Sequence, residues 1–137
     1  MKDEPKKGYI MNIEKETLSN SDYRRVLFTA KSMQLVLMNL EKGEEIGEEV
    51  HHLDQFIRSE AGEATVVLDD ISFPFPADHA VIIPAGTKHN IINTGATELK
   101  LYTIYAPPEH KDKLVEHTKA DEREEHFDGT VSSGAAS

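Results

Sequence analysis

The chain has 137 residues and no cysteine, and its 25 acidic and 15 basic side chains give a formal net charge of −10 at pH 7. This length corresponds to one domain, and the lack of cysteine excludes disulfides, thiolate catalysis and cysteine-ligated zinc. The acidic balance argues against a nucleic-acid surface. Apolar runs fall short of the roughly 20 residues of a membrane helix, and the N-terminus lacks a signal-peptide core. We therefore expect no nucleic-acid or membrane partner and a cytoplasmic location.

We predict that residues 1–32 form an N-terminal segment that precedes the main domain. Gly8–Ile13 (GYIMNI) is rich in apolar residues and is interpreted as a short strand. Its apolar side chains pack either against its own domain or against a partner subunit. Tyr23–Thr29 (YRRVLFT) has the β-branched and aromatic content of a second strand. We expect these strands to swap or pair in a dimer.

Met33–Leu40 (MQLVLMNL) is apolar on both faces. Such a run indicates a strand covered on both sides, by the domain interior and by a second sheet or a partner subunit. A buried helix is the competing interpretation, but Gly43 follows so soon that the run has the length of a strand. Together with the uncovered Gly8–Ile13 segment, this run predicts a homodimer.

Further strands alternate with turns about every eight to twelve residues, the pattern of an all-β sandwich or barrel. They are predicted at Asp54–Ser59, Ala64–Leu68, Ile71–Phe75, His79–Ile83, Lys88–Asn93 and Leu99–Ala106. Asp69 and Asp70 form a hairpin turn. Because Pro74 and Pro76 cannot donate to a ladder, we expect the return strand to lie at an edge or to end early.

Residues 108–137 form a charged C-terminal arm. Between Glu109 and Phe127 the only large apolar residues are Leu114, Val115 and Phe127. The arm either holds a short helix that begins at Pro108, a favourable first position, or wraps as an extended segment. Ser132–Ser137 is small and polar, and we expect it to be disordered.

Candidate metal ligands share one face of a strand. Glu49, His51 and Gln55 have the same parity, so their side chains point to one side if the strand has no bulge, whereas His52 points away. With a bulge, His52 would replace His51. His89 supplies a second imidazole from a later strand. Two imidazoles with two oxygen donors suit a divalent first-row metal.

Two stretches resemble the paired motifs of the cupin family. GEEIGEEVHHLDQFIRSEAG resembles the first motif, and its matching positions are Gly43, Glu49, His51, Gln55 and Gly62. DHAVIIPAGTKHNIIN resembles the second motif, and its matching positions are Asp78, Pro84, Gly86, His89 and Asn93. Three positions depart from the usual pattern: Glu49 replaces a histidine, Gln55 a glutamate and Asp78 a glycine. The spacing is similar to that of small single-domain cupins.

The resemblance implies an antiparallel cupin β-barrel, also called a double-stranded β-helix or jelly roll, over residues 33–107. It implies that Glu49, His51, Gln55 and His89 bind iron, manganese, nickel, cobalt or zinc. Fold alone does not fix function. A metal-dependent enzyme of the dioxygenase or sugar-isomerase type acting on a small molecule is one reading. A non-catalytic ligand-binding or sensing cupin with a structural metal is the alternative, and a degraded, empty barrel is a third.

The remaining polar residues give no defined catalytic set, so the catalytic residues are unknown. His79 is either a base near the metal or a structural histidine. Three histidines of the arm are expected on the surface: His110, His117 and His126. Arg58 has the parity opposite to Gln55 and is expected to face outward.

Overall fold

The structure is a computed structural model that describes residues 8–132. The expected disorder of Ser132–Ser137 lies outside the described residues except at Ser132. The Ser132 backbone N–H donates to the Thr29 carbonyl at 2.9 Å. None of the helices between residues 8 and 132 is long and apolar enough to cross a membrane.

One α-helix and nine strands make up the regular structure of this part of the chain. They are α1 (Ile13–Ser19), β1 (Arg24–Thr29), β2 (Gln34–Leu40), β3 (Asp54–Ala61), β4 (Glu63–Leu68), β5 (Ile71–Pro76), β6 (Ala80–Ile83), β7 (His89–Asn93), β8 (Leu99–Ala106) and β9 (Val115–Glu116). A short 3-10 helix, Lys119–Asp121, follows β9.

The strands form two antiparallel sheets around a shared core. The larger sheet has the order β6-β3-β8-β2-β1-β9, and the smaller one β5-β4-β7. One hydrophobic cluster joins side chains of both, among them Met38 and Leu101 from the larger sheet and Val66 and Ile91 from the smaller. Burial of each such side chain contributes about 1.5–3 kcal/mol. The predicted all-β, antiparallel class is confirmed.

Strand β8 shows how the sequence pattern produces this core. Leu99, Leu101, Thr103 and Tyr105 are buried, while the residues between them are more exposed. This alternation follows from the period of two of a strand. Because β8 pairs with β2 on one side and β3 on the other, it lies in the middle of the larger sheet.

The β4–β5 hairpin confirms the predicted turn. Asp69 and Asp70 have φ of 48° and 68°, and positive φ at both central residues characterises the type I′ turn of two-residue hairpins. Strand β5 is an edge strand of the smaller sheet, so Pro74 and Pro76 interrupt no further ladder.

The predicted strand at Gly8–Ile13 is wrong. Residues 8–12 form no strand, and α1 begins at Ile13 with the Asn12 side chain accepting from the Lys15 backbone N–H at 3.0 Å. Asn12 is a favourable N-cap, and the acidic first turn, Glu14 and Glu16, suits the helix dipole. These signals outweigh the apolar content of the segment.

Helix α1 also changes the interpretation of β2. It contacts β2, β3 and β8, and β2 is buried along most of both faces, with Leu37 only 1% exposed. The chain's own helix therefore provides cover that the sequence analysis assigned to a second sheet or a partner subunit.

The C-terminal arm, residues 108–132, follows the extended alternative, and the helix at Pro108 does not form. Strand β9 pairs with β1, and His110 bridges to His126. Leu114 is 4% exposed and joins the core. The arm is thus packed onto the larger sheet.

Candidate metal centre

The loop before β3 lies antiparallel along β7. The Glu49 and His89 backbones exchange two hydrogen bonds of 2.9 Å, and the Ile46 N–H donates to the Ile91 carbonyl at 2.9 Å. Strand β3 begins only at Asp54, so the expected continuous ligand strand from Glu49 to Gln55 is wrong. The contact with β7, rather than strand parity, brings Glu49 to His89.

Three predicted ligands converge at this contact. The candidate ligand atoms of Glu49, His51 and His89 all lie within 4.8 Å of one another. Nε2 of His51 is 3.6 Å from Oε2 of Glu49, and the two imidazole centroids are 5.2 Å apart. Such a group of one carboxylate and two imidazoles offers three donors to a single ion.

The His89 ring has a defined tautomer. Its Nδ1 lies 2.9 Å from the Thr87 carbonyl oxygen. A carbonyl only accepts, so Nδ1 carries the proton and Nε2 keeps its lone pair. This arrangement is typical of metal-binding histidines, whose second ring nitrogen is held by an outer partner.

His51 is mostly buried and is held by aromatic and acidic neighbours. Its ring meets the edge of Tyr105 at a centroid distance of 5.9 Å, and its Nδ1 lies 3.4 Å from Oε2 of Glu109. Burial lowers the pKa of His51, with the Glu109 carboxylate opposing the shift. The neutral ring is the form that binds metal.

Gln55 is 5% exposed and has one unsatisfied atom. Its Nε2 donates to Thr103 Oγ1 at 3.0 Å, which fixes the amide. Its Oε1 is buried without a hydrogen-bond partner among residues 8–132. A buried acceptor without a partner is costly, and a metal ion at this position would satisfy it. Gln55 as the fourth ligand stays a prediction, supported by this oxygen.

The other histidines separate into two groups. His52 and His79 are exposed and lie outside the cluster. His79 Nδ1 instead contacts its neighbouring Ala77 carbonyl, so the suggested base near the metal is wrong for His79. Arg58 pairs with Glu60 and Asp78, in keeping with its outward parity.

In the arm, His117 and His126 are exposed as expected, whereas His110 is not a surface residue. Its ring packs against the edge of Tyr105 at 5.1 Å. Burial lowers the pKa of His110 to about 3, so the ring is neutral at ordinary pH.

Other motif residues hold the backbone around the cluster. The Asn93 amide donates to the carbonyls of Leu40, Glu41 and Thr97 at 2.9–3.1 Å. Gly62 has φ of 98°, and a Cβ there would lie 2.6 Å from the Glu98 carbonyl oxygen. Their roles are structural, which explains why they recur in the motif pattern without binding metal.

A cavity of about 210 Å³ opens beside Glu49, and the arm forms most of its wall. Its charged lining comprises five glutamates, two arginines and two histidines: Glu49, Glu109, Glu122, Glu124, Glu125, Arg24, Arg123, His110 and His126. Burial raises the pKa of Glu49, and the positive charge of Arg24 opposes that shift. Glu49 is thus the member of the cluster that lines this acidic cavity.

Sequence reasoning missed the arm's part in this site. Glu109 and His110 follow the Pro107-Pro108 end of β8, and Tyr105 lies opposite both Gln34 and Gln55 in the sheet. The end of β8 is therefore the end that faces the ligands. The pairing of Tyr105 with Gln34 and Gln55 is the feature that could have placed the arm beside the ligands. This pairing can be inferred only when the strand order is known.

The donor set fits a divalent first-row metal. Two imidazoles with carboxylate and amide oxygens suit iron, manganese, cobalt, nickel or zinc. Calcium and magnesium prefer all-oxygen shells. The fixed His89 tautomer and the unsatisfied Gln55 oxygen support this fit within the described part of the chain.

Similar proteins place the chain in a family. The cupin domain model matches residues 36–105. The uncharacterized protein YrkC of Bacillus subtilis is 45% identical over 128 residues, 88% of this chain and 69% of that protein. A Bacillus halodurans crystal structure superposes with a TM-score of 0.81 at 45% identity, covering 82% of this chain and 91% of that one. A cupin superfamily protein from Desulfitobacterium hafniense has a TM-score of 0.57 at 24% identity over 61% of this chain and 75% of its own, a likeness of fold alone. The chain belongs to the cupin family.

Proposed function

We propose that this cupin binds one divalent transition metal through Glu49, His51, Gln55 and His89 and uses it in a reaction on a small molecule. The observation that carries the proposal is the convergence of Glu49, His51 and His89 within 4.8 Å. Iron, manganese, nickel, cobalt and zinc are the candidate ions.

A bound metal with an open position polarises substrate oxygens or activates dioxygen. The protein's own residues supply the setting. Thr87 and Thr103 orient His89 and Gln55, and the Tyr105 ring covers one side of His51. The cavity lined by Glu49 is the place where a small molecule would approach the cluster. Donor side chains that are already oriented in this way suit a metal-dependent enzyme.

Charge pairing around the cavity favours an uncharged substrate. Arg24 lies 2.5 Å from Glu116 and 3.2 Å from Glu122, and Arg123 lies 3.1 Å from Glu125. Both arginines of the lining are therefore neutralised by glutamates. These pairs argue against a phosphorylated sugar and favour a dioxygenase-type reaction on a neutral molecule over a sugar-phosphate isomerase.

Oxygen consumption tests the catalytic part of the proposal. Metal-free protein is loaded with iron(II), manganese(II) or zinc(II) and mixed with phenolic or diketone compounds, and His89→Ala is treated in the same way. We expect oxygen uptake by the iron- or manganese-loaded protein and none by the zinc form or the variant. Full iron and manganese occupancy without turnover of any compound would favour the alternative, a non-catalytic ligand-binding cupin whose metal is structural.

We further propose that the chain forms a homodimer and acts in the cytoplasm. Ile10 and Ile82 are 72% and 70% exposed, and a subunit contact would bury them. Strand exchange at the N-terminus is not retained, since residues 8–12 form no strand. Sedimentation at micromolar concentration checks the assembly, and a monomer would contradict it.

A further inference from the structure

The carboxylate of Glu109 reaches the metal cluster from outside the region of the cupin match. Its Oε2 lies 3.4 Å from Nδ1 of His51, and its side chain is 17% exposed. The matched region ends at residue 105, so this contact is a property of the arm. Glu109 is not in the group whose donor atoms lie within 4.8 Å of one another. Glu109 therefore contacts His51, a candidate ligand residue, and does not belong to the group that would bind the metal.

The backbone of Glu109 is fixed by a buried side chain. Gln34 Oε1 accepts from the N–H groups of Glu109 at 3.3 Å and His110 at 3.0 Å. Gln34 Nε2 donates to the His110 carbonyl at 2.8 Å, and Gln34 is fully buried. Three hydrogen bonds from β2 thus set the start of the arm.

The second oxygen of the carboxylate is also engaged. Glu109 Oε1 lies 3.2 Å from Nδ1 of His126, and the Phe127 N–H donates to the Glu109 carbonyl at 3.0 Å. The far end of the arm therefore folds back on Glu109. Because both ends of the arm meet at this residue, its carboxylate has a defined direction toward His51.

We propose that Glu109 is a positioning residue that fixes the tautomer and orientation of His51. A carboxylate offers only acceptors, so its oxygen 3.4 Å from Nδ1 favours the tautomer with the proton on Nδ1 and the lone pair on Nε2. Nε2 is the atom that lies 3.6 Å from Glu49. The inference rests on the proposed function, since a correctly oriented Nε2 serves to bind the metal.

The two histidines then each face an acceptor from a different part of the chain. The Thr87 carbonyl accepts from His89 Nδ1 at 2.9 Å, whereas the Glu109 carboxylate lies 3.4 Å from His51 Nδ1, an ion-pair distance. A carboxylate partner also makes an imidazole a stronger donor, and loss of such a partner costs about 10- to 100-fold in metal affinity. The arm thereby becomes part of the metal site.

The test combines a spectroscopic and a binding measurement. The tautomer of His51 is read from ¹⁵N imidazole spectra of metal-free protein, and cobalt(II) affinity is measured by titration. Wild type is compared with Glu109→Ala, with Glu109→Gln, which keeps the side-chain volume, and with Glu48→Gln. Glu48 is exposed and adjacent to Glu49, so its variant removes one nearby charge without touching His51.

We expect His51 to be protonated at Nδ1 in wild type and in Glu48→Gln, and to become a tautomer mixture in Glu109→Ala. Cobalt affinity should fall about 10- to 100-fold in Glu109→Ala and less in Glu109→Gln, whose amide oxygen still accepts. An unchanged tautomer and an affinity within about twofold of Glu48→Gln in both variants would overturn the proposal. A tautomer that depends on Glu109 in a wild type that binds no cobalt would support the positioning role and refute the proposed metal function.

Discussion

Strand β8 is a central strand of the larger sheet and the C-terminal arm packs onto that sheet, and different kinds of side chain hold the two in place. β8 buries Leu99, Leu101, Thr103 and Tyr105 in strict alternation. The arm contributes Leu114 to the core and otherwise relies on charge, with Glu116 fully buried against Arg24. An apolar pattern can be recognised in a sequence, whereas an ion pair between residues 24 and 116 cannot. The comparison explains why the strands of the two sheets were predictable and the arm was not.

Removal of the arm's buried charge should give the largest effect. In Glu116→Ala, the buried Arg24 guanidinium keeps only the more exposed Glu122 as a partner, and the Arg123 backbone N–H loses the acceptor that it contacts at 2.7 Å. We expect the free energy of unfolding to fall by about 3–5 kcal/mol, measured by urea denaturation.

Two controls sharpen this prediction. The double variant Arg24→Met with Glu116→Leu removes both charges and should recover most of the stability, because a paired apolar replacement leaves no buried charge. Glu124→Gln, whose side chain is 94% exposed, should stay within about 0.5 kcal/mol of wild type. A small loss in Glu116→Ala would show that the arm is not held by this pair.

A cavity in the hydrophobic core should lower the free energy of unfolding slightly less. Leu101→Ala removes a fully buried side chain from the centre of β8, and we expect a loss of about 2–5 kcal/mol in urea denaturation. The exposed Ile71, which has no part in the proposed subunit contact, provides the control, since Ile71→Ala should change stability by no more than about 0.5 kcal/mol. Equal losses in both variants would contradict the assigned core.

Acid should weaken the arm through His110. Its pKa in the folded protein is about 3, below the ordinary value of about 6.5, so the unfolded chain binds the extra proton first. Stability is therefore lost as the pH falls from about 6.5 toward 3, by at most about 1.4 kcal/mol per pH unit. Denaturation of chelator-treated protein across this range, beside His110→Asn, checks the slope. An identical slope in the variant would assign the acid sensitivity to other groups.

The smallest expected effect is at the cap of α1. Asn12→Ala removes the acceptor of the Lys15 N–H and should cost about 1 kcal/mol. Thermal unfolding checks this value, with Asn12→Asp as a control that keeps a capping oxygen. Equal stability of all three proteins would show that the cap adds nothing to the packing of α1 on the larger sheet.

The metal cluster was less predictable from the sequence than strand β8 and more predictable than the C-terminal arm. The motif spacing identified Glu49, His51 and His89 before the strands were known, and the structure brings them together. The structural reason for their proximity differs from the predicted strand parity. Glu49 pairs with His89 of β7 through an isolated bridge, and β3 starts only after His51. Glu109 was missed because its contact with His51 depends on how the arm returns to the end of β8. Helix α1 was missed because the apolar content of Gly8–Ile13 was interpreted as a strand and the capping side chain of Asn12 was not considered.

Metal content tests the central claim most directly. Wild type, His51→Ala, His52→Ala and His89→Ala are incubated with iron, manganese, cobalt, nickel or zinc, freed of excess ion and measured by elemental analysis. The account predicts close to one ion per chain in wild type and His52→Ala and its loss in His51→Ala and His89→Ala. Retention by His51→Ala with loss in His52→Ala, or a wild type that keeps none of the five ions, would contradict it.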